Sequence, residues 1–591
     1  MADLYDLHPA FDYWRTGRFG GHGSANTAWS EKIALDPMLD DLIMTVELVF
    51  GSDSPVYVST RPCTNVSGMT GHVYRWQPLL ESQPAIEMTY SMGESSSSAR
   101  SFTVRLPSSL VDPTVLISKN RMLGGIGEVS LTYDGADYDD RIVIIRGEMD
   151  AGVSFGPQEG GTLETTITDP RESADITLPP YLITRGGFPD ASDEAIGQRF
   201  PLVFPEWSHV PGHYVHKGTL DSTSGNYENP TVLVSSGTMD VTAVYVDGKS
   251  YAAGSSVYPW EVKHSTDANG SPYTAVYFNG NPTAASFDLS EAVYATVKTP
   301  GYTSGSPIYN VNTGALEEDP IGQIRRLVRD YSLLQRPGIN SQLFAKAQAR
   351  LVNRKSRVCV NAGGSANTST ISYIEGELLA SLPMVSMVWE GGGYGPLVTD
   401  RMQADAATAY LIAGQAPLLS RATVVQESPK SSTYNEFTLR YGYNALEDTY
   451  DGTAYRNGTN STLCAASQKM VGYRPQDVMD SIVIHDEATA EYVLDWLVAH
   501  ISVPSYYVEY EATARAFFDL QRADNVRLTD SAFGWKDRIA TVETIRLEPG
   551  RCTVGFRVWL LFDSVSGGAF SSGLAGSGVP EQGAGGGGGD N

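Results

Sequence analysis

The amino-acid sequence contains one dense group of side chains that commonly bind metal ions. The group consists of Glu206, His209, His213 and His216. Two histidines four positions apart bind zinc well on a helix, because the helix places both rings on one face. Pro211 and Gly212 would break such a helix, and a strand would point His213 and His216 to opposite faces. We therefore expect turn and surface histidines here, and we predict no metal site.

Four aspartates in a short segment are typical of a calcium-binding loop. They are Asp134, Asp137, Asp139 and Asp140. A loop of the EF-hand type requires a glutamate at its twelfth position, and counting from Asp134 that position holds Ile145. Strand-like sequences lie on both sides of the aspartates, so the sequence predicts a hairpin turn with solvated carboxylates.

The glycines and cysteines also lack the spacing that binding motifs require. Gly124-Gly125-Ile126-Gly127 and the glycine-rich segment 391–395 have neither the G-x-G-x-x-G spacing nor the lysine of a P-loop, so we interpret both as loops. The four cysteines form no C-x-x-C motif, which excludes a cysteine-rich zinc module and gives no indication of a disulfide framework. They are Cys63, Cys359, Cys464 and Cys552.

The sequence contains no familiar catalytic motif. It has no H-E-x-x-H, no G-x-S-x-G elbow and no cysteine–histidine pair within a known signature. A pair of carboxylates that cleaves glycosidic bonds stays open, because the two acids can lie anywhere among the 68 acidic residues. The sequence therefore predicts no catalytic residue, no cofactor-binding residue and no cofactor.

The length and composition of the sequence indicate a large, acidic and folded protein. It has 591 residues, with 42 Lys and Arg against 68 Asp and Glu, and a formal net charge of −26. This length suffices for several domains. Charged residues make up only 19%, while 59 glycines and 32 tyrosines favour strands and turns. The acidic balance argues against wrapping duplex DNA, although DNA would pass an acidic wall without adhering.

The sequence carries no pattern for export or membrane insertion. Met1 to Ala10 is acidic and mixed in character, unlike a signal peptide. The apolar runs Leu42–Phe50 and Val558–Phe562 are far shorter than the roughly 18 residues of a membrane-spanning helix. We therefore expect a protein that is made in the cytoplasm, remains soluble and has no stable membrane insertion.

Strand patterns dominate the first part of the chain. Leu42–Phe50 and Pro55–Thr60 are strand-like, and Ser101–Leu106 alternates apolar with polar residues. The clearest hairpin has Glu128–Tyr133 and Arg141–Arg146 as its strands, with the four aspartates between them.

Residues 207–307 shift in composition to Ser, Thr, Gly, Asn and aromatic residues, which indicates an inserted all-β domain. Within this segment, Val241–Val246 followed by Asp247-Gly248 predicts a strand that ends in a tight turn. Its aromatic side chains are either exposed for binding or packed as in any sheet. They are Trp207, Tyr214, Tyr245, Tyr258, Trp260, Tyr273 and Tyr277.

Three helices are predicted in the second half of the chain. The first begins at Asp319-Pro320 and carries an apolar stripe from Ile321 to Val328. Asn340 caps the second, and the third spans Asp486–His500.

Two strand-like segments and a tail complete the chain. The strands are Ser505–Glu511 and Val554–Phe562. The segment Gly567–Asn591 ends in five glycines and cannot bury enough apolar surface to fold alone, so we expect a flexible tail or linker.

Several sequence segments, taken in chain order, resemble segments of the central hub proteins of the tail tips and baseplates of long-tailed bacteriophages. Each segment is similar to a strand, turn or helix of those proteins. They are Asp139–Asp150 with Val153–Gly156, Ile196–Phe204, Val244–Gly248, the helices at Asp319-Pro320 and Asn340, Asn435–Tyr443, Asp486–His500 and Ala523–Asp530. Together they span most of residues 130–562, whereas the rest of the segment 207–307 and the first 40 residues have no such resemblance.

The resemblance implies a multidomain, mainly β fold with minor α content. Each chain would contain two tail-tube-like β-barrels, an inserted β domain and a few short helices. The implied parts are an N-terminal extension (1–40), a first hub barrel region (41–200), an inserted β domain (201–315), a helix-containing hub domain (316–425), a second hub barrel region with a helix (426–566) and a flexible glycine-rich tail (567–591).

The resemblance also implies a non-enzymatic structural protein of the virion, located at the distal end of the phage tail. A homotrimeric hub would close the tail tube, adapt the six-fold tube to a three-fold spike or fibre, and open for DNA ejection. The implied partners are distal tail and tail-tube proteins, the tape measure protein and a central spike or fibre. DNA would pass through the lumen without specific binding.

Two alternatives stay open on the sequence. One is a tail-associated enzyme that processes glycans, in which the aromatic residues of the insertion bind the sugar. The other is a receptor-binding adhesin, which requires an exposed aromatic patch on the insertion.

Overall fold

The computed structural model describes the greater part of the chain. The described residues are 42–49, 55–80, 86–89, 101–107, 125–149, 154–155, 162–170, 175–224, 226–279, 286–301, 309–310, 315–316, 318–334, 338–360, 368–390, 393–399, 409–415, 418–420, 424–427, 430–513, 520–548 and 553–561. The predicted N-terminal extension (1–40), the glycine-rich tail (567–591), Cys552 and Gly124 lie outside these residues.

Eleven strands precede the predicted insertion. They are β1 (Ile43–Val49), β2 (Val56–Ser59), β3 (Cys63–Val66), β4 (Val73–Trp76), β5 (Ile86–Thr89), β6 (Ser101–Pro107), β7 (Ile126–Thr132), β8 (Ile142–Met149), β9 (Ser154–Phe155), β10 (Thr162–Thr168) and β11 (Thr177–Leu178). A 3₁₀ turn at Tyr138–Asp140 lies between β7 and β8. The predicted hairpin at this position is confirmed.

The next fourteen strands are short. They are β12 (Leu202–Phe204), β13 (Glu206–Pro211), β14 (His213–His216), β15 (Thr219–Leu220), β16 (Tyr227–Glu228), β17 (Thr231–Ser236), β18 (Asp240–Val246), β19 (Lys249–Tyr251), β20 (Trp260–Thr266), β21 (Pro272–Phe278), β22 (Ser286–Phe287), β23 (Val293–Lys298), β24 (Tyr309–Asn310) and β25 (Ala315–Leu316).

Helices and strands alternate in the rest of the chain. The helices are α1 (Pro320–Asp330), α2 (Ser341–Arg350), α3 (Thr370–Tyr373, continued by a π-helical turn at Ile374–Leu378), α4 (Thr462–Val471) and α5 (Glu487–Ile501), with a 3₁₀ turn at Lys430–Ser432. The strands are β26 (Val358–Val360), β27 (Thr368–Ser369), β28 (Val385–Glu390), β29 (Gly393–Val398), β30 (Ala409–Ile412), β31 (Val424–Glu427), β32 (Phe437–Asn444), β33 (Thr449–Arg456), β34 (Met479–Asp480), β35 (Ser505–Thr513), β36 (Asn525–Asp530), β37 (Trp535–Glu548) and β38 (Thr553–Leu561).

Two seven-stranded sheets come from opposite ends of the chain. The first sheet has the order β2-β1-β7-β8-β10-β6, with β9 paired to β10. The second sheet has the order β30-β36-β37-β38-β35-β31, and β5 from the N-terminal part of the chain pairs with β37. The two sheets share one apolar core. Its fully buried members include Val46, Val129 and Ile167 from the first sheet and Val526, Val542 and Val558 from the second.

Four neighbouring strands in each sheet follow the same spatial order. In the first sheet, β6, β7, β8 and β10 lie in the order β7-β8-β10-β6. In the second, β35, β36, β37 and β38 lie in the order β36-β37-β38-β35. When the four strands of each sheet are numbered by their order along the chain, both sheets have the spatial order 2-3-4-1. All six pairings are antiparallel.

The predicted inserted segment forms two four-stranded antiparallel sheets. Their orders are β13-β23-β18-β19 and β14-β17-β21-β20. One core lies between them, and residues from outside the insertion, Cys359, Tyr443 and Ile482, pack against it. The insertion is therefore joined to the rest of the chain by apolar packing.

The helices pack with short strands in a third large core between the insertion and the paired sheets. The three predicted helices are confirmed. Asp319 caps α1 by accepting from the Gly322 N–H at 2.8 Å, and Asn340 caps α2. Asp486 caps α5 in the same way through the Thr489 N–H at 2.9 Å. The predicted mainly β, multidomain fold with minor α content is thus confirmed.

Candidate functional site

The paired sheets are the part of the molecule with the most unusual chemistry. In β1 the apolar residues Met44, Val46 and Leu48 face the shared core, so the alternating residues Thr45 and Glu47 point to the other face. That face is also buried, although a strand at a protein surface normally exposes it. Its polar side chains therefore need partners inside the protein.

A buried ionic cluster satisfies this need in the first sheet. Glu128 accepts hydrogen bonds from Arg146, with Nε at 2.7 Å, and its other oxygen lies 3.1 Å from Nη2 of Arg141. The Tyr138 hydroxyl donates to Glu47 at 2.8 Å. Burial works to raise the pKa of Glu128, but the two arginines outweigh it and the pKa is lowered. Burial raises the pKa of Glu47, against the opposing effect of Arg141.

The hairpin β3–β4 covers this cluster. Asn65 is fully buried, donates to Thr132 Oγ1 at 3.1 Å and accepts from the Trp76 indole N–H at 2.7 Å. The Arg141 guanidinium lies 3.7 Å from the centre of the Tyr138 ring, a cation–π contact. These contacts fix the hairpin on the polar face of the first sheet.

The second sheet carries an ionic group of its own on its outer face, and this group is more open. Arg557 lies 3.0 Å from Glu543 and 4.0 Å from Glu509, and the side chains are 33%, 17% and 45% exposed. Glu543 is the extra residue at a β-bulge between β37 and β38. Burial raises the pKa of Glu543 to about 7, Arg557 opposes this rise, and Glu509 adds to it.

Ion pairs also join the second sheet to the helical region. Asp524 precedes β36 and accepts from Lys346 at 2.7 Å and from Arg350 at 3.2 Å, both on α2. Arg522 donates to Glu390 of β28 at 2.8 Å, and both side chains are only 2% exposed. These contacts position the second sheet, and they leave Asp524 and Glu390 with cationic partners.

The histidine group predicted to bind no metal is dispersed along β13 and β14. His216 is exposed, as expected, and its ring lies 3.5 Å from Asp190. His213 is half-buried, with its Nε2 shielded from solvent, and burial lowers its pKa to about 4. Within the described ranges, no three His, Cys, Asp or Glu residues are grouped so that they could hold a metal ion.

The aspartate segment forms the predicted turn, with Asp134 exposed and the other three aspartates half-buried, but its carboxylates also make hydrogen bonds that the sequence did not predict. Asp134 accepts from the Thr64 N–H at 2.9 Å, and Asp137 accepts from the Gly68 N–H at 2.9 Å. Asp139 accepts from the Ser67 hydroxyl at 2.8 Å. The aspartates therefore hold the tip of hairpin β3–β4, a role that only the tertiary fold reveals.

The prediction that both glycine-rich segments are loops is wrong for those of their residues that lie in strands. Gly127 lies within β7, and Gly393 and Gly395 lie within β29. A Cβ at Gly127 would come within 2.5 Å of the Ile167 side chain, and one at Gly393 within 2.9 Å of the Asn340 backbone nitrogen. Glycine is thus needed for close packing in strands. Gly391 and Gly392 lie outside the described residues.

The aromatic residues of the insertion are packed. Trp207, Tyr214 and Trp260 are 2%, 6% and 7% exposed. The other four, Tyr245, Tyr258, Tyr273 and Tyr277, are half-buried. None of these seven rings stands free in solvent, so they do not form the exposed patch that sugar gripping or receptor binding by the insertion requires.

The described cysteines are free thiols inside the protein. Cys63, Cys359 and Cys464 are buried free thiols, and burial raises the pKa of each. In the part of the chain that the structure describes, no helix has the length and apolar character to cross a membrane. The buried ionic cluster was not predicted, although Glu and Arg inside the apolar strands β1, β7 and β8 were a visible signal.

No protein-family model matches the chain, and no curated protein matches it. Solved structures similar to it include the 43 kDa tail protein of prophage MuSo2 from Shewanella oneidensis, at 12% identity and a TM-score of 0.34, covering 87% of this chain and 98% of that one. A chain of the virion of a native gene transfer agent particle has 11% identity and a TM-score of 0.37, covering 62% and 85%. The tail protein from Neisseria meningitidis MC58 has 9% identity and a TM-score of 0.33, covering 87% and 96%. Nothing about the role of this chain follows from similarities at this level.

Proposed function

We propose that the protein is a structural component of a phage virion, the homotrimeric hub at the distal end of the tail. The observation that carries this proposal is the shared strand order of the two sheets. A chain with two related sheets presents six of them when three copies form a ring. Such a ring matches a six-fold tube on one side and a three-fold spike or fibre on the other.

The proposed parts of the chain follow from this arrangement. Residues 41–200 and 426–566 correspond to the two hub barrel regions, the second of which also includes β30, β31 and the donated strand β5. Residues 201–315 are the inserted β domain, and residues 316–425 are the helix-containing hub domain. The extension 1–40 and the tail 567–591 are proposed to reach neighbouring tail components.

The proposed hub closes the tail tube and opens for DNA ejection by rearrangement, with no bond-making chemistry. Its partners are tail-tube and distal tail proteins, the tape measure protein and a central spike or fibre. The net charge of −26 supports passage of DNA through a lumen without specific binding, because like charges repel the phosphate backbone. Neither a glycan-processing enzyme nor an adhesin is favoured, since the seven aromatic rings that both would use are packed.

Light scattering of the purified full chain across a concentration series tests the trimer. The proposal predicts a mass three times the 63.8 kDa of one chain, stable on dilution. A monomer in isolation that also stays monomeric when mixed with its tail-tube partner would contradict the proposal. Assays of polysaccharide hydrolysis provide the second arm, and turnover that is lost on mutating one pair of acids would favour the enzyme.

A further inference from the structure

The three-stranded sheet β33-β32-β34 ends in an open edge. Among the described residues, the eight-residue strand β33 pairs only with β32. The Tyr455 carbonyl accepts from Asn460 Nδ2 at 3.0 Å and from Arg456 Nη1 at 3.2 Å, so the backbone groups of Tyr455 face away from β32. Because antiparallel strands alternate, Thr453 directs its N–H and C=O to the same open edge. An open edge of this length is a template for a further strand.

The two sides of this edge differ in chemistry. On one side α5 packs against the sheet, and its exposed residues Glu487 and Glu491 lie one turn apart. Arg456 extends from β33 to Asp495 at 2.6 Å and to Glu491 at 3.5 Å, which places this acidic face along the strand. On the other side, Tyr455 is 54% exposed, and the alternating residues Thr453 and Asp451 share that side with it.

We propose that β33 binds an extended segment of another protein, in which basic residues alternate with apolar ones. Successive side chains of an added strand point to opposite faces. Its basic residues would therefore lie beside Glu487 and Glu491, and its apolar residues beside Tyr455. A second copy of this acidic chain is a poorer partner than a basic segment, because complementary charge favours association and like charge opposes it. This inference does not depend on the hub assembly proposed above.

Binding of a synthetic nine-residue peptide of alternating Lys and Val to the full chain tests this proposal. We expect saturable binding of one peptide per chain, and slower hydrogen exchange of the Thr453 amide in the complex. N-methylation of the peptide amides that face β33 removes donors without altering its charge, and should weaken binding by about tenfold or more. No saturable binding of the unmodified peptide would overturn the proposal.

A pair of matched variants separates this site from general attraction to an acidic protein. Glu487→Lys with Glu491→Lys should weaken peptide binding by about tenfold or more, because both changes place like charge beside the added strand. Glu194→Lys with Glu261→Lys makes the same change of net charge at exposed positions elsewhere and should leave binding nearly unchanged. Equal losses in the two variants, or binding insensitive to N-methylation, would overturn the proposal.

Discussion

The two seven-stranded sheets share a strand order and a core, yet their outer faces differ. In the first sheet, hairpin β3–β4 covers the outer face, and the glutamates and arginines beneath it are buried. In the second sheet, the ionic group around Arg557 is partly exposed to solvent. The same backbone arrangement therefore supports a closed face and an open one. Because water can screen only the open face, equivalent substitutions should have unequal effects in the two sheets.

Loss of a carboxylate should show the largest difference. Glu128→Ala removes the buried carboxylate that both Arg141 and Arg146 contact, and Arg141 then keeps only the more distant Glu47, 3.9 Å away, among the cluster's glutamates. We expect this change to destabilise the first sheet by about 3–5 kcal/mol. Glu543→Ala in the second sheet should cost only about 1 kcal/mol, since Arg557 is partly hydrated and keeps Glu509 nearby. Urea denaturation with hydrogen exchange read at β7 and β37 measures both. Equal losses would contradict the distinction between a closed and an open face.

Added volume at matched glycines should show the next largest difference. A Cβ at Gly147 of β8 would lie 2.0 Å from the Thr168 carbonyl oxygen, so Gly147→Ala forces the backbone to move. We expect a loss of about 1–3 kcal/mol. A Cβ at Gly555 of β38 would meet its nearest atom at 3.7 Å, an ordinary contact, so Gly555→Ala should be neutral or slightly stabilising. Thermal unfolding of the two variants checks this, and a costly Gly555→Ala would argue against the open packing of the second sheet.

The half-buried Glu543 and the buried Glu128 should respond to pH with opposite sign. Burial raises the pKa of Glu543 in the folded protein to about 7, above its unfolded value, so its contribution to stability is complete below the unfolded pKa and is lost as the pH rises through about 7. The pKa of Glu128 is lowered by Arg146 and Arg141 despite its burial, so its contribution is present above the unfolded pKa and is lost in acid.

Glutamine variants test these opposite signs. The difference in unfolding free energy between Glu543→Gln and the parent chain should shift in favour of the variant as the pH rises from about 4.5 to 7, by on the order of 1 kcal/mol or more. Glu128→Gln should be most destabilising at neutral pH and less so in acid. The measurement is the free energy of unfolding in urea as a function of pH. Parallel pH profiles for the two variants would contradict the account.

Exposed ion pairs should show the smallest effects, and no difference between the sheets. Arg105–Glu164 in the first sheet and Arg527–Asp537 in the second are both solvent-accessible. Removing the charge pair by Arg105→Ala, or by Asp537→Asn, which keeps a residue that tolerates the left-handed backbone of position 537, should cost less than about 1 kcal/mol, and the cost should fall further in salt. A large loss at either pair, measured by urea denaturation at low and high salt, would show that water does not reach it.

Local sequence patterns predicted most of the elements but not their partners. The apolar stripe from Ile321 to Val328 and the caps Asp319, Asn340 and Asp486 defined their helices, because capping and periodicity are properties of neighbouring residues. The pairing of β5 with β37 was not predictable, since β5 is a four-residue strand that joins a sheet formed by the other end of the chain.

The buried ionic cluster could not be predicted from the sequence for the same reason. Tyr138 and Glu47 are 91 positions apart, and only the pairing of β1 with β7 brings them together. The hydrogen bonds of the aspartates at 134, 137 and 139 were not predicted, because their partners on hairpin β3–β4 lie about 70 positions away. Glycines needed for close packing in β7 and β29 likewise have the local appearance of loops.

In the proposed hub, the two sheets are related units that occupy equivalent positions in a ring. Electron cryo-microscopy of the assembled protein, reconstructed without imposed symmetry, tests this arrangement most directly. The account predicts three chains in a ring, with the first and second sheets alternating at six nearly equivalent positions around a lumen. A ring in which only one of the two sheets faces the lumen, or an assembly without three-fold symmetry, would contradict it.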